Sequence, residues 1–347
     1  MKIVEKLFEP QIFDRLSIAI EIISSIALGI AVTAAILFVS GFNPWRCLSI
    51  VLNPTTLVTQ LDYVLSEAAP LVFTSIAFAI PLAAGLFNIG GEGQFYLGAV
   101  TALAVGIATR NPVLPLLCAA IGGALLGLAI GAMRMYLGIN EVVSSIMMNW
   151  VAYYVALHLV NMVYKHPTYP DVTLEIPPSA RVGYAFLWAI VFSIAAYIVM
   201  HRTRLGYAIR VCGYSERSAI YAGIDPKKIG TVSMAIGGAF ASLGGALHVM
   251  ATLYCIDVLL SGISGYGFNG IGVTLIARCN YFAIPIVSIL ISVLTINGQW
   301  LELETGAPPH LAQIIVGAMI VALSIPYAYR LLLSYARSRY LARGAQR

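Results

Sequence analysis

The sequence predicts an all-α polytopic membrane protein of about ten transmembrane helices, some broken or re-entrant, with both termini in the cytoplasm. Three observations carry this reading. Of 347 residues, 60% are hydrophobic and only 10% charged, and mean hydropathy is +0.88. A water-soluble domain has about 25% charged residues, so this chain lacks the polar surface that a soluble fold of its size must expose. Long apolar runs recur along its whole length, and basic residues collect on alternate connections between them.

A helix crossing the roughly 30 Å hydrocarbon core needs about 20 apolar residues, because in lipid every backbone polar group must be satisfied internally. Spans are expected at 20–41, 68–87, 95–109, 113–132, 142–160, 184–200, 231–252, 265–277, 282–297 and 311–329. Two stand out: 95–109 is short, and 265–277 carries several glycines, as a broken or re-entrant segment would. Arg110, Asn111 and Pro112 separate 95–109 from 113–132, which predicts a tight helical hairpin. With the N-terminus inside, 16 of the 20 Lys and Arg fall on the cytoplasmic side. Only Arg46, Arg110, Lys165 and Arg181 stay outside, and the outer loop with Glu302 and Glu304 has no base. That asymmetry supports an even number of spans.

Gly123, Gly127 and Gly131 form a small-xxx-small ridge, and Gly237, Gly238, Ala241, Gly244 and Gly245 form a second close-approach face. The five cysteines have no CxxC spacing and read as small apolar residues. The N-terminal MKIVEKLFEPQIFDRL mixes acids and bases, so it is neither a signal peptide nor a nucleic-acid arm. Nothing points to an enzyme: there is no glycine-rich loop ending in Gly-Lys-Ser/Thr, and the histidines are isolated. No catalytic, cofactor-binding or metal residue is assigned.

Polar residues inside a bilayer are costly and mark paths or hinges. From Gly85 to Gln94, four glycines with Asn88, Glu92 and Gln94 interrupt two apolar runs. Asn88 suits a helix end, and Glu92 would stand near the start of the next helix, where the dipole favours it. The stretch is either part of a path or a plain cytoplasmic turn. In Gly138 to Asn149, Asn140 suits an N-cap, and Ser145 and Asn149 share a face that either lines a cavity or grips a neighbouring helix. Residues 201–230 form the longest polar inner segment, with a short amphipathic helix from about Ser215 to Ala222 bounded by Gly213 and Gly223. It either docks a soluble partner or coats the membrane surface. The outer loop 161–183 is proline-rich and expected to be irregular. Tyr266, Phe268 and Asn269 sit amid four glycines of a second interruption, from Ser261 to Gly270. Aromatic faces beside an amide suit a neutral ring-bearing or sugar-like ligand, and equally suit an interfacial anchor.

Four stretches carry a family resemblance: Phe87 to Gln94 (FNIGGEGQ), Asn140 to Asn149 (NEVVSSIMMN), Thr203 to Gly213 (TRLGYAIRVCG) with Ala222 to Ile224, and Gly265 to Ile271 (GYGFNGI). With them the whole chain resembles, as one transmembrane domain, the permease subunit of bacterial ABC importers for nucleosides and simple sugars, in the wider group of ribose and branched-chain amino-acid permeases. The resemblance implies a pore-forming subunit of the cytoplasmic membrane. It would pair with a second, different permease, two ATP-binding subunits that use the ATP, and an external solute-binding lipoprotein. The chain itself would bind no cofactor. Its longer external loop is similar to that of the larger permease in nucleoside systems. The segment around Arg210, Glu216, Arg217 and Gly223 then looks like the coupling helix that meets the ATPase.

Under this resemblance, Asn88, Glu92, Asn149, Tyr266, Phe268 and Asn269 are the candidates for the solute path, and transport is by alternating access. Cys212 stands where family members often have alanine, and Asn269 where an aspartate is sometimes seen. The glutamate-containing NIGGEGQ and the aromatic FNG stretch favour nucleosides over simple sugars or branched-chain amino acids. An ion-coupled transporter would place acids near midplane in both halves, whereas Glu92 and Glu141 are expected at span edges. A structural protein that moves nothing is the remaining rival; its polar stretches need not converge.

Overall fold

The computed structural model describes residues 27–324. The outer parts of the first and last expected spans, the two termini and their basic residues lie outside the described residues. In chain order the helices are α1 (Ala27–Val39), α2 (Pro44–Val51), α3 (Thr55–Thr59), α4 (Leu61–Ala83), α5 (Gly91–Thr109), α6 (Val113–Leu137), α7 (Glu141–His158), α8 (Ala185–Arg202), α9 (Arg204–Tyr214), α10 (Glu216–Tyr221), α11 (Pro226–His248), α12 (Tyr266–Ile276), α13 (Ala283–Thr305) and α14 (Pro309–Ser324). The last turns of α7 and α11 widen into π geometry over Leu159–Val163 and Val249–Leu253. Among the described residues six helical segments are long and apolar enough to cross a membrane: α4, α6, α7 and α11 with their π turns, Pro178–Arg202, and α13. The protein is therefore an all-α, multi-pass membrane protein.

Five helix starts follow from their capping residues. Asn43, Asn140, Thr203, Ser215 and Asp225 each cap the helix that follows by accepting from its free amides. Pro44 and Pro226 take first-turn positions, where a missing N–H costs nothing. The turn between α5 and α6 forms as its residues predict. Arg110 is left-handed at φ 53°, and the Asn111 side chain accepts from the amides of Val113 and Leu114.

Several expected boundaries move. Helix α4 begins at Leu61 rather than near 68, which draws Glu67 into its second turn. Helix α5 absorbs Gly91 to Gln94 as its first turn, so the true interruption is shorter than the glycines suggest. Helix α13 continues to Thr305, so Glu302 and Glu304 lie in its last turns and not in a loop. Helix α12 has 11 residues and spans about 16 Å at 1.5 Å per residue, too short to cross a bilayer.

The described residues fall into two compact units. One contains the chain up to Thr55 together with Leu294 onward. Within it the Asn297 amide donates to the carbonyls of Val51 and Asn53 at 2.9 and 3.0 Å, satisfying the C-terminal end of α2. The other unit, Thr56–Val293, is built round α11. The glycine ridge of α6 packs against α11: a Cβ on Gly127 would lie 2.2 Å from the Met234 carbonyl oxygen. Other small residues of α11 admit α4 and α5, since a Cβ on Gly244 would meet Phe73 at 2.7 Å and one on Gly245 the Phe95 carbonyl at 2.1 Å. The opposite face of α6 exposes Leu114, Leu117, Ile121, Leu125 and Leu128 at helical spacing, an apolar stripe suited to acyl chains.

The 161–183 loop is more ordered than its prolines suggest. Its residues pair with the chain after α11: Thr173 N donates to Ile256 O at 2.9 Å and Ile176 N to Tyr254 O at 2.8 Å. Arg181 bonds Glu175 at 2.9 Å and lies 4.1 Å over the Tyr254 ring.

Candidate functional site

The site is assembled in the larger unit around the interruption between α4 and α5. Helix α4 ends with Gly85 at φ +79°, where the Leu86 amide reaches back to the Pro81 carbonyl. The chain then turns back into the bundle. Pro81 has no N–H to offer the carbonyl of Ala77, and the Asn88 side chain donates to that carbonyl at 3.1 Å. Ala77 lies six residues inside the end of α4, about 9 Å of helix rise. The interruption is thus tied back onto α4, and Glu92 stands in the first turn of α5, as expected, with only 4% of its surface exposed.

Asn88 Oδ1 also accepts from Gly90 N at 3.1 Å, and its Nδ2 donates to Gln94 Oε1 at 3.1 Å. From α7, Asn149 Oδ1 accepts from Gly93 N at 2.8 Å, while Nδ2 donates to Ile89 O at 2.9 Å. Gly93 permits this approach, because a Cβ there would lie 2.7 Å from the Asn149 Cα. The face carrying Asn149 therefore grips a neighbouring segment. Glu141, at the start of the same helix, pairs with Arg134 at 3.1 Å.

Glu92 joins the two interruptions. Its Oε1 accepts from the Tyr96 hydroxyl at 2.8 Å and from Gly265 N. Its Oε2 accepts from Gly267 N at 2.7 Å. Free amides at the start of α12 thus meet a carboxylate, the favoured charge at a helix N-terminus. The intervening Tyr266 hydroxyl donates to Glu67 of α4, and its ring stacks on Phe95 with centroids 5.2 Å apart. Further along α12, Thr274 donates to the Ser75 carbonyl at 2.8 Å.

The six candidate path residues divide accordingly. Asn88, Glu92 and Asn149 are 2%, 4% and 8% exposed, and their polar atoms are taken up by the internal bonds just described. Tyr266 is committed to Glu67. Phe268 is 52% exposed, and the half-buried Asn269 has no hydrogen-bond partner for its amide among the described residues. Of the six, that last pair alone keeps an exposed ring and an uncommitted side-chain amide among the described residues.

The 201–230 segment folds as two short helices, α9 and α10. Glu216 and Arg217 are exposed and Gly223 turns at φ +75°. Arg210 instead points inward and donates to the Met200 carbonyl at the end of α8. Tyr214, Ile220 and Tyr221 expose 94%, 62% and 93% of their surface, an apolar tip that the charge pattern of the segment hides. A groove of about 780 Å³ runs beside α10, lined in part by Gly85, Arg134, Glu216, Asp225 and Lys227. Gly213 rests on the end of α4, where a Cβ would lie 2.2 Å from the Ala83 carbonyl. Burial pushes the Cys212 thiol above its ordinary range.

Two features escape the sequence reading. Glu67 is one residue outside the expected span, so its signal was an acid at the head of an apolar run. The row Trp150, Tyr153 and Tyr154, with ring centroids 5.4 to 6.0 Å apart, joins Tyr96 through Tyr153 at 5.7 Å. Aromatic spacing in an apolar helix reads as core, whereas Trp150 and Tyr154 are exposed.

Residues 60–324 match the family described as branched-chain amino acid transport system / permease component. The chain belongs to this family. It is a permease subunit of an ABC importer. Membership brings the architecture of the family, in which a permease works with ATP-hydrolysing subunits and a solute-binding protein. This permease is 29% identical to the guanosine ABC transporter permease protein NupP of Bacillus subtilis, over 91% of its own length and 96% of the relative's. It is 30% identical to the glucose permease TsgB13 of Haloferax volcanii over 77% of each chain. Identity to the nucleoside permease NupB of Lactococcus lactis is 24%, over 90% of this chain and 93% of the relative.

Proposed function

We propose that this permease carries nucleosides inward by alternating access, as one of two different permeases in an ATP-driven importer. The observation that carries the reading is the pair Phe268 and Asn269. A half-exposed aromatic face beside an unpaired amide offers stacking to a base and hydrogen bonds to its edge or to the ribose. Full-length likeness to permeases named for guanosine and nucleosides supports the same cargo. A simple sugar is the second reading, favoured by the likeness to a glucose permease.

The basic residues support ten spans with cytoplasmic termini. The segment 201–230 is then the inner coupling loop and 161–183 the outer loop facing the solute-binding lipoprotein. Glu216, Arg217 and the apolar tip at Tyr221 form the contact with the ATPase, with Gly223 ending α10 and Arg210 bracing the preceding α9 against α8. Gly213 links this segment to the end of α4 and so to the interruption that follows it. Movement imposed by ATP binding and hydrolysis in the partners reaches α12 through Asn88, Asn149 and Glu92. Solute passes without covalent chemistry here.

The test is uptake of labelled guanosine by cells or proteoliposomes holding the complete importer. Unlabelled nucleosides should compete and glucose should not. Failure of every nucleoside to compete rejects the cargo, and competition by glucose alone selects the sugar reading.

A further inference from the structure

Helix α12 is held at its first turn by two carboxylates from different helices. Glu92 of α5 takes the amides of Gly265 and Gly267. Glu67 of α4 takes the Tyr266 hydroxyl. The two attachments differ in kind. The Glu92 bonds fix the backbone, and Gly267 lies so close that a Cβ would be 2.3 Å from the Glu92 amide nitrogen. The Glu67 bond acts at the end of a long side chain whose ring is packed on Phe95 and lies 4.8 Å from His248. One carboxylate therefore sets where the helix starts, and the other sets its rotation about its own axis. Successive helix residues are about 100° apart, so the rotation that seats Tyr266 on Glu67 also turns Phe268 to the exposed side and leaves Asn269 half-buried beside the Tyr266 face.

We propose that Glu67 is a positioning residue for the solute path: through its bond to Tyr266 it holds the Phe268–Asn269 pair in the orientation that meets solute. This rests on the reading of that pair as solute-facing. Glu67 touches no solute itself. An acid inside an apolar helix is costly unless it is paired, and a single hydrogen bond to a tyrosine from another element is a restraint that one substitution can release.

The experiment uses the complete importer in a background lacking the five native cysteines and carrying Asn269→Cys. The rate at which a water-soluble maleimide labels position 269 is measured without solute, alongside uptake in the importer that keeps Asn269. Glu67→Ala should change the labelling rate at least threefold and lower uptake. Glu67→Gln, which keeps an oxygen to accept from Tyr266, should restore both. Tyr266→Phe keeps the ring packing and removes only the hydroxyl, so it should match Glu67→Ala, and the double variant should be no worse than either alone. Unchanged labelling in Glu67→Ala and Tyr266→Phe overturns the proposal, as does a Glu67→Gln variant as altered as Glu67→Ala, or additive effects in the double variant. Should Glu67→Ala fail to reach the membrane, Tyr266→Phe alone decides by the same labelling criterion. Labelling needs no cargo, so its result stands apart from whether nucleosides are carried.

Discussion

Gly123 of α6 and Gly238 of α11 face each other so closely that a Cβ on either would lie 2.2 or 2.1 Å from the other's carbonyl oxygen. The contact is backbone on backbone, and no rotamer change can relieve it. Gly123→Ala or Gly238→Ala must part the helices and should destabilise the protein by at least ~1–3 kcal/mol. Gly122→Ala is the matched control, since its Cβ would meet only the Leu97 side chain, at 3.6 Å or more. Thermal unfolding of the purified permease in detergent should separate the first two variants from the third.

Gly267 and Glu92 call for a second comparison. Gly267→Ala drives a methyl group into the Glu92 backbone, whereas Gly265→Ala meets no atom within 4 Å and is opposed only by its φ of +88°, a strain of about 1–2 kcal/mol. Glu92→Ala leaves two buried amides without an acceptor, at roughly 1–3 kcal/mol each. The expected order of folded protein recovered from membranes is Gly265→Ala above Glu92→Ala, with Gly267→Ala lowest. Equal recovery of all three would show that α12 is not held in this way.

Phe268 and Asn149 should part company in transport. Phe268→Ala removes a half-exposed ring and leaves the internal hydrogen bonds intact, so uptake should fall severalfold at normal membrane levels. Asn149→Ala strips the acceptor from Gly93 N and the donor from Ile89 O, so loss of folded protein should accompany any loss of uptake. Normal uptake in both variants would remove this region from the path.

The contrast explains what the sequence could and could not reveal. Periodicity and hydropathy made the long helices legible, because a span must satisfy its own backbone. The cap at Asn140 and the turn at Arg110 to Pro112 were legible for the same local reason. The partners of Glu92 were not, because Gly265 and Gly267 lie 173 and 175 residues away along the chain. Glu67 was missed because its partner lies 199 residues away. Asn149 reads in the sequence as a polar atom on an apolar helix, and only its two bonds show that it grips a loop.

The exposed tip of α10 predicts a coupling phenotype. Glu216→Ala, Arg217→Ala and Tyr221→Ala change exposed side chains, so the permease should fold while solute-stimulated ATP hydrolysis by the assembled importer falls severalfold. Arg210→Ala should act differently: it frees the Met200 carbonyl at the end of α8 and should lower thermal stability as well. Unchanged stimulated hydrolysis in all three tip variants would take α10 out of the coupling contact.

Asp257, in the loop at the far end of α11 from Lys227, predicts a response to acid. Partial burial pushes its carboxyl upward, but hydrogen bonds from Gly262 N, the Ser261 hydroxyl and Ser261 N outweigh that and hold it below the usual carboxylate range. A depressed value in the folded state means that the stabilisation is complete above the ordinary aspartate value of about 3.9 and is lost only as pH falls through the lower folded value. Across pH 5 to 8 this loop should therefore be insensitive to pH. Asp257→Asn should weaken the loop across that whole range, because the amide keeps one acceptor oxygen and loses the charge. Protease nicking between Tyr254 and Ser264, followed against pH in the wild-type protein and the variant, measures this directly. A wild-type loop that loosens between pH 6 and 5 would show that Asp257 is not held in its ionised form.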